Sequence, residues 1–514
     1  MKKLILLITM GFSLPLSAQD LQFQWVKQIP DATHIVTDSH DNVYISGAFA
    51  DTLIFQGNVL ICDSTDGSYD AFAAKFDSIG NMLWARQISG WNMEDIQDIC
   101  VDSDDNLIIS ASFTYTSIIE NDTITGNYWA HNILLMKYLS NGDLDWYTVP
   151  ATTDTGCIHI YKTVVDNDNN IVFCGGGSTH DMHFTDTVLD VDLAPRFMAK
   201  FSPDGDFLWV QGQQEIIQQM DIGPSGDIIY ISGSQLIKSD PQGNTIWTKP
   251  LFISTYQSEE HALLAVDEAN DIFMAGSFID TVSAGSDVFI SKGENDILVI
   301  KLDPDGNYVW GYQCGGPDND APDMLCAGNN RVVIAGHFAK KIYVENDSLF
   351  ALDQIHQYPN TFIAGFDNNG NWLFDNLIAS KRICSNSLIS MNDAIYASVY
   401  CRDTTLFDGE AFVPDSEYGA FVLAKLYGTT EGIQQLNIDF SIYPNPSSDF
   451  IEVRGVQIGK GTYAEILNMN GQILVKTKIE NPAEKMDVRF LDPGIYMLKI
   501  SGENFSMTRK FLKM

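Results

Sequence analysis

The chain has 514 residues, of which 45% are hydrophobic and 11% aromatic, and its formal net charge is −37. The length is too great for one ordinary domain, and the apolar content argues against disorder. Residues 435–514 hold 10 Lys/Arg and 9 Asp/Glu, so the acidic excess belongs to the preceding body. Because such a body repels phosphate backbones, we expect no nucleic-acid partner, and the carboxylates are expected to serve solubility.

The N-terminus has the features of a secretory signal peptide, which we predict over residues 1–18. Two lysines are followed by an apolar run over residues 4–12 that is too short to span a bilayer. Cleavage after Ala18 leaves Gln19 as the first residue of the mature chain. No later apolar stretch reaches the length of a membrane helix, so the sequence predicts no transmembrane segment.

One segment recurs through the body: a short β run, a polar turn with Gly, and then a large aromatic residue. Six copies end at Trp84, Trp146, Trp209, Trp247, Trp310 and Phe374. Asp, Pro and Gly in the turn predict a tight antiparallel hairpin. A second segment of strand, polar turn and strand occurs seven times, as in IVTDSHDNVYISGAF. Four strands per repeat are typical of one blade of a β-propeller.

The two ends of the body are complementary. The seventh copy finishes with Ala420–Gly428 and has no aromatic strand after it, whereas the chain begins with an aromatic strand around Trp25 that no repeat precedes. We predict that this N-terminal strand completes the last blade and closes an all-β, seven-bladed propeller over residues 19–428. Closure removes the exposed sheet edges that promote aggregation.

Most repeats carry an excursion between the second and third strands, for example Asp51–Asp70 and Asp280–Asn295, and the fourth repeat lacks it. We predict extra hairpins that project from one face or from the rim. Variable loops on a rigid ring commonly carry binding specificity. Aromatic residues at their tips, such as Tyr69, Trp129 and Tyr358, are candidate contacts to a sugar or protein. The alternative is that they pack on the neighbouring blade.

Export makes disulfides possible for the eight cysteines. Cys157 and Cys174 flank one predicted turn symmetrically, and Cys384 and Cys401 flank another, so both pairs are candidate disulfides. Buried thiols are the alternative. No Cys-x-x-Cys or Cys/His cluster has metal-ligand spacing, so we expect no zinc site.

Three turns alternate oxygen ligands and raise the possibility of calcium: Asp102–Asn106, Asp166–Asn170 and Asp303–Asn307. None has a full twelve-residue loop ending in Glu, and the same residues are good turn formers. We therefore predict no cofactor, with calcium as the alternative. The motifs Gly-x-Ser-x-Gly and His-Glu-x-x-His and a phosphate loop are absent from the sequence, so we assign no catalytic residue.

After a polar linker over residues 429–438, residues 439–514 alternate short β runs with turn signals. Asn470-Gly471 joins two of these runs, which is a strong hairpin signal. We predict a small β-sandwich.

Two resemblances to known families extend this interpretation. The repeat, as in Asp70-Ala-Phe72, Lys75-Phe-Asp77, Gly80-Asn81 and Trp84, resembles the bacterial seven-bladed β-propeller repeat over about residues 21–428, and carries no catalytic residues.

The C-terminal segment resembles the type A sorting domain of the type IX secretion system of Bacteroidota. The resemblance rests on Tyr443-Pro-Asn-Pro446, Leu491-Asp-Pro-Gly-Ile-Tyr496 and the basic tail that ends at Lys513. It implies the secretion machinery as a partner, passage across the outer membrane, and then either release or retention at the surface.

The sequence therefore predicts a secreted or surface-held, non-catalytic propeller that binds an unidentified protein or glycan. The alternative is a polysaccharide lyase or hydrolase, because carboxylates from different blades can converge in the channel. A channel mouth with converging His, Tyr, Arg and carboxylate groups would favour the enzyme, and an aromatic rim would favour binding.

Overall fold

The computed structural model describes residues 22–62, 69–90, 94–126, 131–152, 157–177, 181–184, 187–190, 196–251, 262–344, 347–351, 358–380, 384–392, 394–407, 410–414, 416, 418–427, 441–443, 447–454, 463–468, 473–478, 483–502 and 505–513. Every regular element in these ranges is a β-strand, so none of them is a helix that could cross a bilayer. The predicted cleavage site at Ala18 and Gln19 and the predicted linker 429–438 lie outside the described residues.

The body is built from short strands, two to nine residues long, that alternate with tight turns. In chain order they are β1 (Gln22–Ile29), β2 (His34–Thr37), β3 (Val43–Phe49), β4 (Thr52–Phe55), β5 (Asn58–Ile61), β6 (Asp70–Phe76), β7 (Met82–Gly90), β8 (Asp95–Val101), β9 (Leu107–Thr114), β10 (Thr116–Ile119), β11 (Asp122–Thr125), β12 (His131–Tyr138), β13 (Leu144–Thr148), β14 (Ala151–Thr152), β15 (Ile158–Val165), β16 (Ile171–Gly177), β17 (Asp181–Phe184), β18 (Thr187–Asp190), β19 (Arg196–Phe201), β20 (Phe207–Gly212), β21 (Ile217–Ile222), β22 (Ile228–Ser232), β23 (Gln235–Ser239), β24 (Thr245–Pro250), β25 (Leu263–Val266), β26 (Ile272–Phe278), β27 (Thr281–Ala284), β28 (Asp287–Ile290), β29 (Asp296–Leu302), β30 (Tyr308–Cys314), β31 (Asp320–Gly328), β32 (Arg331–Phe338), β33 (Lys341–Val344), β34 (Asp347–Phe350), β35 (Asn360–Asp367), β36 (Trp372–Ser380), β37 (Cys384–Met391), β38 (Ile395–Cys401), β39 (Thr405–Phe407), β40 (Glu410–Phe412) and β41 (Ala420–Tyr427).

These strands form seven antiparallel blades of four strands each within the described residues. Their orders are β2-β3-β6-β7, β8-β9-β12-β13, β15-β16-β19-β20, β21-β22-β23-β24, β25-β26-β29-β30, β31-β32-β35-β36 and β37-β38-β41-β1, and we number the blades one to seven in this order. The first strand of each blade, its inner strand, contacts the inner strand of the next blade, and β37 contacts β2. The sheets therefore form a closed ring, which confirms the predicted β-propeller.

The N-terminal strand closes the ring as predicted. β1 pairs antiparallel with β41, which places Trp25 opposite Lys425, and β41 pairs on its other side with β38. The indole Nε1 of Trp25 also donates to the carbonyl oxygen of Ser78 in blade one at 3.3 Å. The two ends of the body are thus joined in one sheet and tied to the next.

The recurrent tryptophans of blades one, two, four and five dock onto the glycine turn of the following blade. The Nε1 of Trp84 donates to the carbonyl of Ser140 at 3.2 Å, and the Nε1 of Trp310 donates to Asn368 at 3.1 Å. Gly142 follows Ser140 with φ of +90°, and a Cβ added there would lie 2.7 Å from the Trp84 ring. The turn therefore needs glycine both for its backbone conformation and for the close approach of the indole.

A lysine that precedes the glycine turn ties the same junction from the other side. Lys75 pairs with Asp38 at 2.9 Å, and Lys200 pairs with Asp166 at 2.7 Å, in each case with the first turn of its own blade. Lys200 also donates to the carbonyl of Pro241 in the next blade at 3.1 Å. The Lys, Gly and Trp of the repeat are thus the residues that join neighbouring blades.

The predicted excursions are two-stranded hairpins at the circumference of the ring. They are β4–β5, β10–β11, β17–β18, β27–β28, β33–β34 and β39–β40, and we call them the perimeter hairpins. β10 adds to β7 and β39 adds to β36, so these two hairpins extend the preceding blade. The inward side of β4–β5, with Leu53, Phe55 and Leu60, shares a hydrophobic cluster with Trp25 of the preceding blade. The hairpins therefore fill the gaps that open between blades towards the rim.

The C-terminal segment is a β-sandwich. Its strands are β42 (Ser441–Tyr443), β43 (Phe450–Arg454), β44 (Tyr463–Leu467), β45 (Ile473–Lys478), β46 (Ala483–Asp487), β47 (Gly494–Gly502) and β48 (Phe505–Lys513). They form two sheets of order β42-β43-β46 and β45-β44-β47-β48. Ile451 and Met486 of the first sheet and Ile466, Leu498 and Phe511 of the second belong to one buried cluster. The predicted turn at Asn470-Gly471 lies outside the described residues, but its flanking strands pair as expected.

The strand register separates the two candidate disulfides. Cys174 lies opposite Lys162, and Ile158, which follows Cys157, lies opposite Gly177. Cys174 is buried and has no disulfide bond, so the predicted Cys157–Cys174 bridge is wrong because a longer strand than expected shifts the two positions apart. Cys384 does lie directly opposite Cys401. Cys401 is a free thiol and the Cys384 side chain lies outside the described residues, so that bridge stays a prediction.

Candidate functional site

The two faces of the ring are built from different connections. Each inner strand ends at a tight turn that leads into the second strand of its blade. The turn that precedes each docked aromatic residue lies at the same end of the blade, and we call this end of the ring the lower face. The opposite end, the upper face, receives the starts of the inner strands and the ends of the second strands. Among the described residues, the connections that vary in length therefore lie at the upper face.

The lower-face turns are self-contained. The carboxylate of Asp166 accepts the backbone N–H groups of Asp168 and Asn170, the side-chain amide of Asn170, and an ion pair from Lys200. These bonds hold the pKa of Asp166 below its usual range although burial acts in the opposite direction. Asp303 likewise accepts from the backbone of Asn307 at 2.8 Å. The oxygens that suggested calcium are thus the capping groups of their own turns.

The inner strands carry β-bulges near their upper ends. One extra residue enters the ladder at Gln97 in β8, Tyr161 in β15, Gln218 in β21 and Asp323 in β31. A bulge bends its strand and re-aims the side chains next to it. Polar side chains of the inner strands therefore reach sideways to the neighbouring blade.

Two channel carboxylates are held by these sideways contacts. Asp98 accepts the backbone N–H of Thr163 in the next blade at 2.6 Å and pairs with Lys162 at 3.3 Å. Asp221 accepts the backbone N–H of Val266, also in the next blade, at 2.8 Å. Burial raises the pKa of Asp221, and the N–H donors and Lys162 oppose that rise. For Lys162, burial disfavours the ammonium but attraction to Asp98 outweighs it, so its pKa is raised.

Two histidines and one cysteine lie close together where blades two and three meet, and His34 of blade one lies near charged groups of the same two blades. One donor atom each from His131, Cys157 and His159 lies within 4.8 Å of the others. His34 is influenced by Asp95 and Asp98 of blade two and by Lys162, and its burial lowers its pKa. Burial also lowers the pKa of His131, and the neighbouring His159 adds to this effect.

Sequence spacing did not reveal this cluster. His159 lies in β15 and Cys157 directly precedes that strand, but His131 comes from the third strand of the preceding blade, 26 residues before Cys157. The available signal was the Cys-x-His pair at the start of an inner strand, read together with a His at the start of the preceding third strand. The sequence showed no Cys/His group with metal-ligand spacing, and the cluster becomes apparent only in the structure.

A second group of exposed residues covers the perimeter hairpins. In β4–β5 the outward side chains Ile54, Val59 and Ile61 are 69%, 53% and 58% exposed. The equivalent positions Val288 and Ile290 of β27–β28 are 61% and 63% exposed. Among the predicted tip residues, Tyr69 and Tyr358 are exposed, whereas Trp129 lies outside the described residues.

The C-terminal segment matches a known family. Residues 441–514 match the model of the secretion system C-terminal sorting domain. This segment is a type IX sorting domain. The sorting domain directs the chain through the type IX secretion system to the cell surface or the extracellular space, as predicted. The match begins two residues after the predicted boundary at 439, and it gives the sandwich an export role.

The body is similar to repeat proteins at low identity. It is 21% identical over 457 aligned positions to an uncharacterized WD repeat-containing protein, L264, of Acanthamoeba polyphaga mimivirus, with 66% of this chain covered. The chain spans about a third of the length of that curated relative, 33%. Among solved structures, a quinohemoprotein alcohol dehydrogenase of Comamonas testosteroni matches at 11% identity and a TM-score of 0.37, covering 84% of this chain and 79% of its own. The Neurospora crassa Pan2 WD40 domain matches at 11% identity and a TM-score of 0.34, covering 66% and 90%.

Proposed function

We propose that the exported propeller is a non-catalytic binding protein that holds an extracellular protein or glycan on its perimeter hairpins. The observation that carries the proposal is the repeated exposure of aliphatic side chains on the outward faces of β4–β5 and β27–β28. Their inward faces already pack on the blades, so the outward residues are not needed for the core. Contiguous exposed apolar surface is a common mark of an interaction site.

A third hairpin adds rings and a cation to this surface. In β33–β34, Tyr343 and Phe350 are outward and exposed, and the Nζ of Lys341 lies 3.9 Å from the Tyr343 ring centre. Aromatic rings next to a cation suit stacking on a sugar or on a peptide side chain. Aliphatic and aromatic hairpins at different points of the rim suit a ligand that contacts several blades.

The state of the channel supports a non-catalytic role. Glycoside hydrolysis uses one carboxyl group as an acid and a second as a base or nucleophile. Asp98 and Asp221 are instead committed to backbone N–H groups of the next blade, and Asp98 also to Lys162. Their contacts explain them as ties between inner strands.

The test uses the full mature chain in a glycan-array screen and a pull-down screen against extracellular proteins. A triple variant, Ile54→Ser with Val59→Ser and Ile61→Ser, is expected to weaken capture at least tenfold. The matched control is Leu208→Ser with Ile246→Ser, since these exposed residues lie on outer strands of blades three and four. Equal loss in both variants, or no loss in the hairpin variant, would contradict the proposal.

A second candidate function is a polysaccharide lyase or hydrolase with its site at the channel mouth. It is favoured by the convergence of His34, His131 and His159 with Asp95 and Lys162. Incubation of the chain with a panel of polysaccharides, followed by detection of new reducing ends or unsaturated uronates, separates the two functions. Turnover that is lost in His34→Asn would establish the enzyme.

A further inference from the structure

We propose that His131, Cys157 and His159 form a binding site for one zinc ion at the junction of blades two and three. Their three donor atoms lie within 4.8 Å of one another, and they come from two different blades. The site would tie the upper mouth of the ring as the docked tryptophans tie the lower face. It is independent of the ligand proposed for the perimeter hairpins.

The backbone fixes the donors relative to each other. Cys157 and His159 flank Ile158, and alternate residues of an extended segment point to the same side. Ile158 is fully buried on the opposite side, in the same cluster as Ile133 of β12. His131 is the first residue of β12, so the core that joins these two isoleucines also holds the three donors together.

Two glycines allow the donor segment its position. A Cβ added at Gly177 would lie 2.5 Å from the carbonyl oxygen of Cys157, and one at Gly175 would lie 2.3 Å from that of His159. Any larger residue at either position would push the donor strand away. The Gly-rich end of β16 is therefore explained by the close approach of the segment that carries Cys157 and His159.

One donor is left unsatisfied without an ion. The Nδ1 of His131 is buried and has no hydrogen-bond partner among the described residues. The ring of His159 lies beside it, with centroids 5.6 Å apart and planes at 66°. A buried polar atom without a partner is costly, and a bound metal ion would remove that cost.

The donor set matches the chemistry of zinc. Two imidazoles and a thiolate prefer borderline-soft ions over calcium or magnesium. Around tetrahedral zinc, such donor atoms lie about 3.3–3.6 Å apart. Side-chain rotations that move the donor atoms about 1 Å closer would therefore let all three bind one ion. Three protein ligands leave a fourth position for water.

Gln97 competes with the ion for His159. Its Oε1 accepts the backbone N–H of Ile160 at 2.7 Å, so its Nε2 is the atom that donates to Nδ1 of His159 at 3.2 Å. Zinc at Nδ1 would take that lone pair, and zinc at Nε2 would leave a proton on Nδ1. In both cases the Gln97–His159 hydrogen bond breaks. Zinc binding therefore has to overcome the loss of this hydrogen bond.

The experiment titrates the reduced, metal-stripped full mature chain with Co²⁺, and then with Zn²⁺ by calorimetry. We expect one ion per chain and a thiolate-to-cobalt absorption band. Loss of a hydrogen-bond partner of a metal ligand typically weakens metal binding by roughly 10–100-fold. We expect at least that loss when a ligand itself is replaced, in His131→Asn, Cys157→Ser or His159→Asn. Gln97→Ala touches the same histidine and should bind zinc as tightly as the wild type or more tightly. Cys62→Ser is the thiol control and should leave affinity unchanged.

Circular dichroism of each variant separates loss of a ligand from loss of the fold. The proposal is overturned if the folded wild-type chain shows no thiolate-to-cobalt band. It is also overturned if Cys157→Ser binds zinc with wild-type affinity, since the ion would then sit on surface carboxylates.

Discussion

The lower and upper faces of the ring are formed by the same strands, yet they satisfy their polar groups differently. At the lower face, Asp166 caps its own turn and pairs with Lys200, and Trp84 docks on a turn of the following blade. At the upper face, neighbouring blades present different residues, and His131 keeps a buried nitrogen without a partner among the described residues. The lower face thus holds the ring together.

This difference separates assembly from recognition. Because the lower-face turns and the docked tryptophans join neighbouring blades, substitution there should cost stability. The perimeter hairpins and the channel mouth carry exposed or incompletely bonded groups, so substitution there should cost ligand binding rather than stability. Four predictions test this division, beginning with the largest expected effect.

Removal of a docked aromatic should destabilise the ring strongly. Trp84 is buried, contacts the rings of Tyr44 and Tyr138, and donates to Ser140. Trp84→Ala is expected to cost about 3–5 kcal/mol of unfolding free energy, because it leaves a cavity between two blades. Leu83→Ala is the matched control: its side chain is 54% exposed, and the expected loss is under about 0.5 kcal/mol. Guanidinium denaturation measures both, and equal losses would refute the docking role.

The glycine under the docked indole can be tested against a glycine without one. Gly142→Ala should cost about 1–3 kcal/mol more than Gly57→Ala. Both glycines have positive φ, +90° and +86°, but only Gly142 lies against a tryptophan, and nothing lies within 4 Å of a Cβ at Gly57. Denaturant midpoints of the two variants give the difference, and a value near zero would mean that backbone conformation alone demands glycine.

The buried Asp320 at the upper start of β31 should make stability depend on pH. Burial raises the pKa of Asp320 to about 8, although the backbone N–H of Gly316 acts to lower it. The negative charges of Asp296 and Asp318 raise this pKa further, and His337 acts to lower it. Between the ordinary carboxyl pKa and about 8, the folded chain holds a proton that the unfolded chain releases. Stability should therefore fall as pH rises from about 4 to 8, with a slope of at most about 1.4 kcal/mol per pH unit.

Asp320→Asn should remove the part of the pH dependence of stability that comes from Asp320. The stability of the variant relative to the wild type should therefore increase as the pH rises. Asp204→Asn, in an exposed turn, is the control. Denaturation series at several pH values provide the measurement. A wild-type minus variant difference that does not change between pH 4 and 8 would show that Asp320 titrates normally.

The smallest effect on stability is expected at the outward hairpin face. Ile54→Ser and Val288→Ser should change the unfolding free energy by less than about 0.5 kcal/mol, because both side chains stay in water in the folded chain. Thermal melts of the two variants check this. A loss of more than 1 kcal/mol would show that the hairpin faces belong to the structural part of the molecule.

The repeat made the architecture predictable. The spacing of Trp84, Trp146 and their counterparts, together with the orphan strand around Trp25, predicted the blades and their closure. Hydrophobic alternation and turn residues act within about ten residues of chain, so they can be recognised without the fold. The excursions and the missing one in blade four were predictable for the same reason.

The sites were less predictable because they depend on side chains from different blades. The Cys157–Cys174 pairing failed because the bulge at Tyr161 and the full length of β15 set a register that turn symmetry does not reveal. Asp98 and Asp221 read as generic acidic residues, and only the neighbouring inner strand shows that they bind Thr163 and Val266.

By itself, the sequence determined the number of repeats, the strand that completes the last one and the export segment, because each is encoded in local patterns. Only the tertiary structure decided which polar groups meet at the channel mouth. His131 lies 26 residues from Cys157 along the chain, and the packing of blade two on blade three, with Ile133 and Ile158 in one buried cluster, brings the two together. Such meetings depend on packing between blades, which no local pattern specifies.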